Sequence, residues 1–232
     1  MPRTPQPVPS DYDSSPGRFR LAREVQSCYC SIPEDVHPQV AGRLRKEGLR
    51  PILDLGCGDG RLLRLLRRSE RIGLDLSPTM LVQAPKPVVR GDGTRLPFKG
   101  ETFGAVAALY VLYHLADPSS AVAEAHRVLW PGGLFAAAAP SRFDSPEVAH
   151  LVPPAALLTF DAESAPKVLS HHFRLVEVVR WDEPLIHLPD QDAVRDYLVG
   201  RQVPAAIASA AARRANVPLR VTKRGALCFA RK

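Results

Sequence analysis

A glycine-rich segment around residue 56 constrains the fold more than any other part of this sequence. The apolar run Ile52–Leu55 contains one acid, Asp54, and is followed by three glycines at alternate positions, Gly56, Gly58 and Gly60. Glycines allow left-handed backbone conformations and let a ligand approach the main chain closely. A turn that only reverses the chain needs neither three spaced glycines nor the adjacent acid. The segment therefore predicts a buried strand, a ligand-contacting turn and a helix.

Short apolar runs alternate with helical patterns along the middle of the chain. The predicted strands are Pro51–Leu55, Arg71–Asp75, Pro87–Arg90, Ala105–Tyr110 and Leu134–Ala139. Helices are predicted to begin near Gly60, Ser77 and Ser119. Alternation of this kind is typical of a parallel sheet with helices on both faces. The sequence thus predicts an α/β, doubly wound fold.

The flanking segments predict further elements. Residues 1–16 contain five prolines and are expected to form a flexible Pro-rich arm. Two helices are predicted before the first strand, over Phe19–Tyr29 and from Pro38 to Gly48. Later in the chain the predictions are a helix over Ala165–His171, a strand over Phe173–Trp181, an extended piece over Pro184–Leu188, helices over Asp190–Val199 and Pro204–Ala215, and a last strand or hairpin over Leu219–Arg231 with a bulge or turn at Gly225.

Composition is that of an ordinary globular chain. Hydrophobic residues make up 45% of the 232 residues and charged residues 24%, which suffices for a sizeable core. The longest near-apolar run, Phe103–Leu112, is shorter than the roughly 20 residues of a membrane-spanning helix, and the first residues lack the apolar region of a secretory signal. Four scattered cysteines do not suggest a disulfide framework. We therefore expect a cytoplasmic protein without a membrane span.

The acids beside the glycine turn indicate which ligand it holds. In a dinucleotide-binding loop, G-x-G-x-x-G, the third glycine would fall on Arg61. Asp54 and Asp59 flank the turn, and two carboxylates beside a diphosphate would repel it, whereas an ammonium or sulfonium group would suit them. The segment resembles motif I of the class I S-adenosylmethionine-dependent methyltransferases. The resemblance implies that Asp54 lies beside the amino group of the cofactor's methionine part, and that the glycine turn contacts its amino-acid and ribose parts.

A second motif follows at the end of the second predicted strand. Asp75 ends that strand, in the segment Asp-Leu-Ser-Pro-Thr-Met-Leu, and an acid there can hydrogen-bond ribose hydroxyls. The alternative role of Asp75, capping the next helix, can be taken by Ser77. The segment is similar to the methyltransferase type 11 branch of the class, which includes ubiquinone-biosynthesis enzymes. The resemblance implies that Leu76 packs on adenine with Met80 nearby.

Two more motifs occur in the family's order. By the resemblance, Asp92 accepts from the adenine amino group and Gly93 approaches the adenine ring. The segments beginning at Thr102 and His126 resemble the family's fourth strand and the turn into its fifth strand. Two positions depart from the family pattern, which usually has Asp and Lys in place of Gly104 and Trp130. Neither carries methyl transfer, so they bear on fold details.

The resemblance covers about residues 50 to 140 and implies a complete set of contacts. The implied cofactor is S-adenosyl-L-methionine, and the implied cofactor-binding residues are Asp54, Gly56, Cys57, Gly58, Asp75, Leu76, Met80, Asp92, Gly93 and Leu109. The implied fold is Rossmann-like, with a mostly parallel seven-stranded sheet, an antiparallel last strand and a helical lid. We expect a single domain over residues 17–232: cover helices in 17–49, a cofactor-binding half in 50–140, and a substrate-side half in 141–232 with a lid insert at 183–217.

One histidine is a candidate catalytic base. His114 follows the fourth strand, near where the methyl group is expected to point, and an ordinary histidine pKa suits proton transfer near neutral pH. The alternative is that His114 has only a structural role, because many methyltransferases of this class act by bringing the reactants together and need no general base. Tyr110 and Tyr113 share this region and are expected to line the pocket. The acids, histidines and cysteines lack metal-ligand spacing, so no metal site is predicted.

Three functions remain open at this point. From Arg201 to Lys232 there are eight basic residues and no acidic one, and such a region can attract nucleic acid. The residues after the fourth strand lack the Asn- or Asp-Pro-Pro-aromatic loop that, by resemblance, marks methylation of exocyclic amines on bases. We expect methylation of an O, N or C atom of a small-molecule metabolite. The alternatives are RNA methylation on a ring nitrogen or ribose, and S-adenosylmethionine binding without catalysis.

Overall fold

The computed structural model describes residues 5–8, 11–30, 36–154 and 156–232, with Ser69 described in its backbone only. Parts of three predicted segments therefore lie outside the described residues. These parts are 1–4 and 9–10 of the expected arm, 31–35 of the expected N-terminal cover and 155 of the expected substrate-side half.

A seven-stranded sheet forms the centre of the described structure. Its strands are β1 (Ile52–Leu55), β2 (Arg71–Asp75), β3 (Val88–Arg90), β4 (Phe103–Leu109), β5 (Leu129–Pro140), β6 (Arg174–Leu188) and β7 (Leu219–Arg231). The spatial order is β3-β2-β1-β4-β5-β7-β6. Strands β1 to β5 are parallel, and β7 runs antiparallel to both β5 and β6. The prediction of a mostly parallel sheet with an antiparallel last strand is confirmed.

Helices cover both faces of this sheet. They are α1 (Pro16–Tyr29), α2 (Val36–Lys46), α3 (Arg61–Leu65), α4 (Pro78–Gln83), α5 (Pro118–Val128), α6 (Pro146–Ala149), α7 (Ala165–Ser170), α8 (Gln191–Gly200) and α9 (Ala205–Ala212). On one face, Leu44 of α2 and Leu62 of α3 pack with Leu134. On the other, Val122 of α5 packs with Phe135. The parallel strands β1 and β4 are buried throughout their lengths, which accounts for their apolar sequences, with Asp54 of β1 as the exception.

A third apolar cluster joins α1, α8 and α9. Val25 of α1 packs with Val194 and Leu198 of α8 and Ala208 of α9. Burial of these side chains stabilises the helices against one another. None of the described helices is both long and apolar enough to span a bilayer.

The edge strand β6 is longer than predicted. It joins the predicted strand Phe173–Trp181 and the extended piece Pro184–Leu188 into one strand, and its pairing with β7 shifts register between Glu183 and Ile186. The shift includes Pro184, which has no N–H to donate to the ladder. Proline is tolerated here because β6 is an edge strand of the sheet and Pro184 lies within the shifted part of its ladder.

Of the two alternatives predicted for Leu219–Arg231, the single strand is confirmed, and the hairpin with a bulge or turn at Gly225 is wrong. Strand β7 passes through Gly225 without a register shift and pairs there with Pro140 on one side and Trp181 on the other. Glycine is required at this position because of side-chain packing instead. A Cβ atom at this position would lie 2.2 Å from Cζ2 of Trp181 and 2.9 Å from the carbonyl oxygen of Ala139. Only glycine lets the indole ring lie this close to the strand.

Candidate active site

A cavity of about 330 Å³, the first cavity, lies where β1, β2 and β4 end at their carboxyl sides. Its walls come from the turns after β1, β2 and β3 and from the segment after β4. Of the cofactor-binding residues predicted from the sequence, those lining it are Gly56, Cys57, Gly58, Asp75, Leu76, Met80, Asp92, Gly93 and Leu109. His114 lines the same cavity. Asp54 does not; it is buried within β1, with 3% of its surface exposed.

Two glycines give the turn after β1 its shape. Gly56 has a φ of 70°, and its N–H donates to the carbonyl oxygen of Leu74 over 2.7 Å. A Cβ atom on Gly56 would lie 2.2 Å from the Val111 side chain, so the turn and the segment after β4 approach as closely as glycine permits. Gly58 has a φ of 52° and open space where a Cβ would stand. The left-handed conformation favours glycine at both positions.

Asp75 fixes the relative position of two turns. One carboxylate oxygen accepts from the N–H of Gly58 over 2.8 Å, and the other accepts from the N–H of Ser77 over 2.9 Å. The hydroxyl of Ser77 accepts from the N–H of Met80 and so caps α4, as the sequence predicts. Asp75 is thereby held at the cavity wall by backbone groups.

Asp54 is unusual because it is a carboxyl group buried in a strand. Burial, reinforced by the nearby charge of Asp75, raises its pKa to about 8, although Arg71 opposes the shift. The carboxyl is therefore mostly protonated at neutral pH. A cation placed beside it would stabilise the ionised form and release the proton.

The first cavity combines acidic and apolar walls. Asp59, Asp75 and Asp92 line it together with Arg23 and Arg61. Its apolar lining includes the side chains of Leu76, Met80, Leu109 and Leu115. Leu76 is 60% exposed, which is unusual for a leucine and leaves an apolar face open to a ligand.

The segment predicted as a flexible arm makes defined contacts in its described part. The Val8 N–H donates to the carbonyl oxygen of Tyr113, and Nδ1 of His114 donates to the carbonyl oxygen of Val8 over 2.9 Å. Since Nδ1 then carries the proton of the neutral ring, Nε2 accepts from the Tyr12 hydroxyl over 2.9 Å. Burial lowers the pKa of His114. Both ring nitrogens are thus bonded to the N-terminal segment, and Tyr12 itself lines the first cavity.

Two further acids hold this segment in place. Asp13 accepts from the Ser77 hydroxyl over 2.7 Å and from the Thr79 N–H over 3.1 Å. Asp11 pairs with Arg18 at the start of α1, with Nε donating over 2.6 Å. Residues 11–13 therefore bridge α1 and the start of α4.

A second cavity of about 310 Å³ adjoins the first. Tyr110 and Tyr113, both expected to line a pocket, contribute to the walls of both cavities, as do Ala22, Gln26 and Arg61. Tyr110 has a φ of 58°, an uncommon conformation for a residue with a side chain. Such backbone strain is concentrated at functional sites.

Sequence reasoning missed the residues that complete these cavities from distant parts of the chain. Tyr12 meets His114 across 102 positions of sequence, and Lys223 lies against Tyr197. Neither pairing has a local pattern, so no motif could have revealed it. Within the described residues, no three histidine, cysteine, aspartate or glutamate side chains group so as to hold a metal ion.

Known proteins are similar to this chain in sequence and in fold. A family model described as a methyltransferase domain matches residues 53–137. An uncharacterized chloroplastic methyltransferase of Arabidopsis thaliana is 37% identical over 123 residues, which is 43% of this chain and 35% of that protein. The ubiquinone/menaquinone biosynthesis C-methyltransferase UbiE of Desulfotalea psychrophila is 33% identical over 135 residues, which is 53% of each chain.

A solved structure extends the likeness of the fold to nearly the whole chain. The crystal structure of the [4+2]-cyclase SpnF superposes with a TM-score of 0.66 and 19% identity, over 99% of both chains. At that identity the likeness shows the fold alone. The matched stretch spans between about a third and about half of the two curated relatives' lengths. The family-model match and these relatives show that residues 53–137 belong to the type 11 methyltransferase domain family, within the class I S-adenosylmethionine-dependent methyltransferases.

Proposed function

We propose that this protein is an enzyme that transfers a methyl group from S-adenosyl-L-methionine to an O, N or C atom of a small-molecule metabolite. The observation that carries the proposal is the first cavity. The glycine turn after β1, Asp75 at the end of β2 and Asp92 after β3 surround one space, in the order in which the family's motifs occur. A second cavity, large enough for a small acceptor, adjoins it.

The chemistry of the first cavity suits this cofactor. The wall has three aspartates and two arginines, Arg23 and Arg61, and the resulting net negative charge favours positively charged groups such as an ammonium or a sulfonium. The exposed side chain of Leu76 offers an apolar face to a flat ring. When bound, S-adenosylmethionine supplies a methyl group attached to a sulfonium. A nucleophile bonds to the methyl carbon, the C–S bond breaks with its electron pair left on sulfur, and S-adenosylhomocysteine is the product.

The residues of the chain have binding and positioning roles in this proposal. Asp75 binds the ribose hydroxyls and keeps the glycine turn in place. Asp54 becomes ionised beside the amino group and so contributes to binding. Tyr110 and Tyr113 stand between the two cavities, where they orient the acceptor and exclude water. Because the thioether from which the methyl group is transferred is a good leaving group, positioning and desolvation supply much of the rate enhancement.

His114 as a general base remains a prediction. Its ring is neutral at pH 7 because burial lowers its pKa, so it is in the correct form to accept a proton. However, Nε2 already accepts from Tyr12, so the base role requires Tyr12 to move. A His114→Asn variant tests it. Loss of a pH-dependent step from kcat supports a base, whereas an unchanged kcat shows that the ring only anchors the N-terminal segment.

The first experiment is calorimetric titration with S-adenosylmethionine and S-adenosylhomocysteine, with NADH as the control. Micromolar binding of the first two and none of NADH is the expected result. A labelled-methyl assay with small-molecule extracts then separates an enzyme from a protein that binds the cofactor without turnover. If NADH bound and S-adenosylhomocysteine did not, the proposed function would be wrong.

A further inference from the structure

The second cavity has the opposite charge character to the first. Four basic side chains line it, Arg61, Arg201, Lys223 and Arg224, and one acidic side chain, Asp144. A cationic cofactor suits the acidic first cavity, whereas an anion suits the basic second cavity. The two cavities share a wall, so a cationic cofactor in the first cavity and an anionic ligand in the second would lie next to each other with opposite charges.

Two of these basic side chains share a single carboxylate. Asp144, whose side chain is 3% exposed, pairs with Arg201 over 2.7 Å and also with Lys223. Burial alone would raise the pKa of Asp144, but the two cations outweigh it and the pKa is lowered. One carboxylate balances only one of the two charges, so this cluster keeps a net positive charge at the cavity wall.

Four aromatic side chains contribute to the walls of the second cavity, next to small and aliphatic residues such as Ala22, Val25 and Ile186. Tyr110, Tyr113, Trp181 and Tyr197 all line it. The guanidinium of Arg201 lies 5.6 Å from the centre of the Tyr197 ring, so the positive cluster and the aromatic wall are in contact. Such walls favour a flat, apolar ligand body next to a charged group.

Trp181 also offers an unused hydrogen-bond donor. Its Nε1–H is fully buried and has no hydrogen-bond partner among the described residues. Buried donors without partners are rare in folded proteins because burial removes the water that would otherwise bond them. The indole ring lines the second cavity, so a ligand oxygen that displaces the atoms covering the N–H would give it a partner.

We propose that the second cavity binds the methyl acceptor and that the acceptor is an aromatic carboxylate. This inference rests on the proposed function. The carboxylate lies at Arg201 and Lys223, the ring lies between the tyrosines and Trp181, and an oxygen substituent on the ring accepts from the Trp181 N–H. A volume of about 310 Å³ is near the lower end of ligand-binding pockets and suits one or two rings.

Calorimetry on the protein saturated with S-adenosylhomocysteine tests this assignment. The probes are 2-, 3- and 4-hydroxybenzoate, each compared with its amide, which lacks the charge, and with benzoate, which lacks the hydroxyl. We expect the best hydroxybenzoate to bind at least about tenfold more tightly than its amide, since charge-assisted hydrogen bonds are the stronger kind. Equal affinity for acid and amide, or no binding of either, would overturn the inference.

Two variants assign the contacts, and a third serves as the control. Lys223→Gln should remove most of the preference for the acid over the amide. Trp181→Phe, which breaks no ion pair, should remove the preference for hydroxybenzoate over benzoate. Arg213→Gln changes an exposed basic residue that lines neither cavity and should change neither preference. Each variant is first checked for wild-type affinity for S-adenosylhomocysteine. If Lys223→Gln fails this check, the assignment is tested with Trp181→Phe alone.

The outcomes for the two proposals are distinct. If S-adenosylhomocysteine does not bind, the proposed function fails and the acceptor assignment fails with it. If S-adenosylhomocysteine binds but the protein does not distinguish acids from amides, the proposed function stands and the acceptor assignment is wrong. The assignment is also wrong if both preferences persist in the folded Lys223→Gln and Trp181→Phe variants.

Discussion

Two carboxyl groups at the ends of neighbouring strands have different environments and therefore different tasks. Asp75 accepts two backbone N–H bonds at the wall of the first cavity. Asp54 lies in β1, and burial raises its pKa to about 8. In the proposed function the cofactor's ammonium group lies near Asp54 and favours its ionised form, so binding and proton release would be coupled at neutral pH.

This coupling predicts a pH-dependent affinity for S-adenosylhomocysteine. Below a pKa of about 8, Asp54 is protonated before binding and must lose its proton. Affinity should therefore rise with pH between about 5.5 and 7.5, by at most about tenfold per pH unit. Titrations in buffers of different ionisation enthalpy measure the proton released. Asp54→Asn should bind more weakly and with little pH dependence; the same slope in this variant would contradict the assignment to Asp54.

The open space at Gly58 predicts that the size of a side chain placed there affects cofactor binding but not stability. Any substitution there has the strain of a left-handed φ of 52°, about 1–2 kcal/mol. Gly58→Ala adds only a methyl group, whereas Gly58→Arg places a long side chain at the wall of the first cavity. We expect similar losses of thermal stability in both variants, and loss of S-adenosylhomocysteine binding in Gly58→Arg alone. Wild-type affinity in Gly58→Arg would remove this turn from the binding site.

At the scale of elements, the N-terminal segment completes the first cavity. Tyr12 lines the cavity and bonds His114, and Asp13 bonds the start of α4. A chain lacking residues 1–14 should bind S-adenosylhomocysteine about tenfold more weakly, because part of the apolar wall is lost. The pKa of His114 should rise towards its usual value, because burial is the main cause of its lowering.

Calorimetry and an NMR titration of the His114 ring measure these two effects. The matched control is Tyr12→Phe, which removes the hydroxyl bond to His114 but keeps the ring at the cavity wall. The control should bind S-adenosylhomocysteine as the full chain does. Equal affinity in the truncated chain would show that the segment lies beside the site without contributing to binding.

The contact between β7 and Trp181 predicts a stability effect. A Cβ atom at Gly225 would overlap the indole ring at 2.2 Å, so Gly225→Ala should lower the free energy of unfolding by about 1–3 kcal/mol. The control is Gly42→Ala in α2, where nothing lies within 4 Å and alanine should stabilise the helix by about 0.5–1 kcal/mol. Urea denaturation measures both. An unchanged stability in Gly225→Ala would mean that the indole ring moves freely.

The same elements show how far the sequence alone leads. Strand Arg71–Asp75 is predicted to the residue, because its apolar pattern and terminal acid are both local signals. The continuity of β6 through Pro184 and the straight path of β7 at Gly225 depend on strand pairing, which local patterns do not encode. Likewise, nine of the ten predicted cofactor-binding residues line one cavity, while the absence of Asp54 from the cavity wall and the contacts of Tyr12 emerge only from tertiary packing.

At the scale of the whole molecule, the basic C-terminal region is integrated into the fold. Among the residues that the structure describes, five of its eight basic residues pair with carboxylates of other segments. These pairs are Arg201 and Lys223 with Asp144, Arg224 with Asp182, Arg231 with Glu47, and Lys232 with Glu101. The Arg214 side chain donates to the carbonyl oxygen of Leu151. The charges are thus distributed over internal contacts and the wall of the second cavity rather than gathered on one open surface.

This distribution predicts weak binding to RNA. If only Arg213 and Arg220 contact phosphates, the logarithm of the binding constant should fall with the logarithm of salt concentration with a slope of about −2 or shallower. Fluorescence anisotropy with a labelled RNA hairpin at several salt concentrations measures the slope, and the Arg213→Gln/Arg220→Gln double variant is the control. An enzyme that methylates RNA through this region would contact several more phosphates and show a proportionally steeper slope. A steep slope that survives the double variant would mean that the paired cations release their carboxylates to bind RNA, and would favour an RNA acceptor over a small molecule.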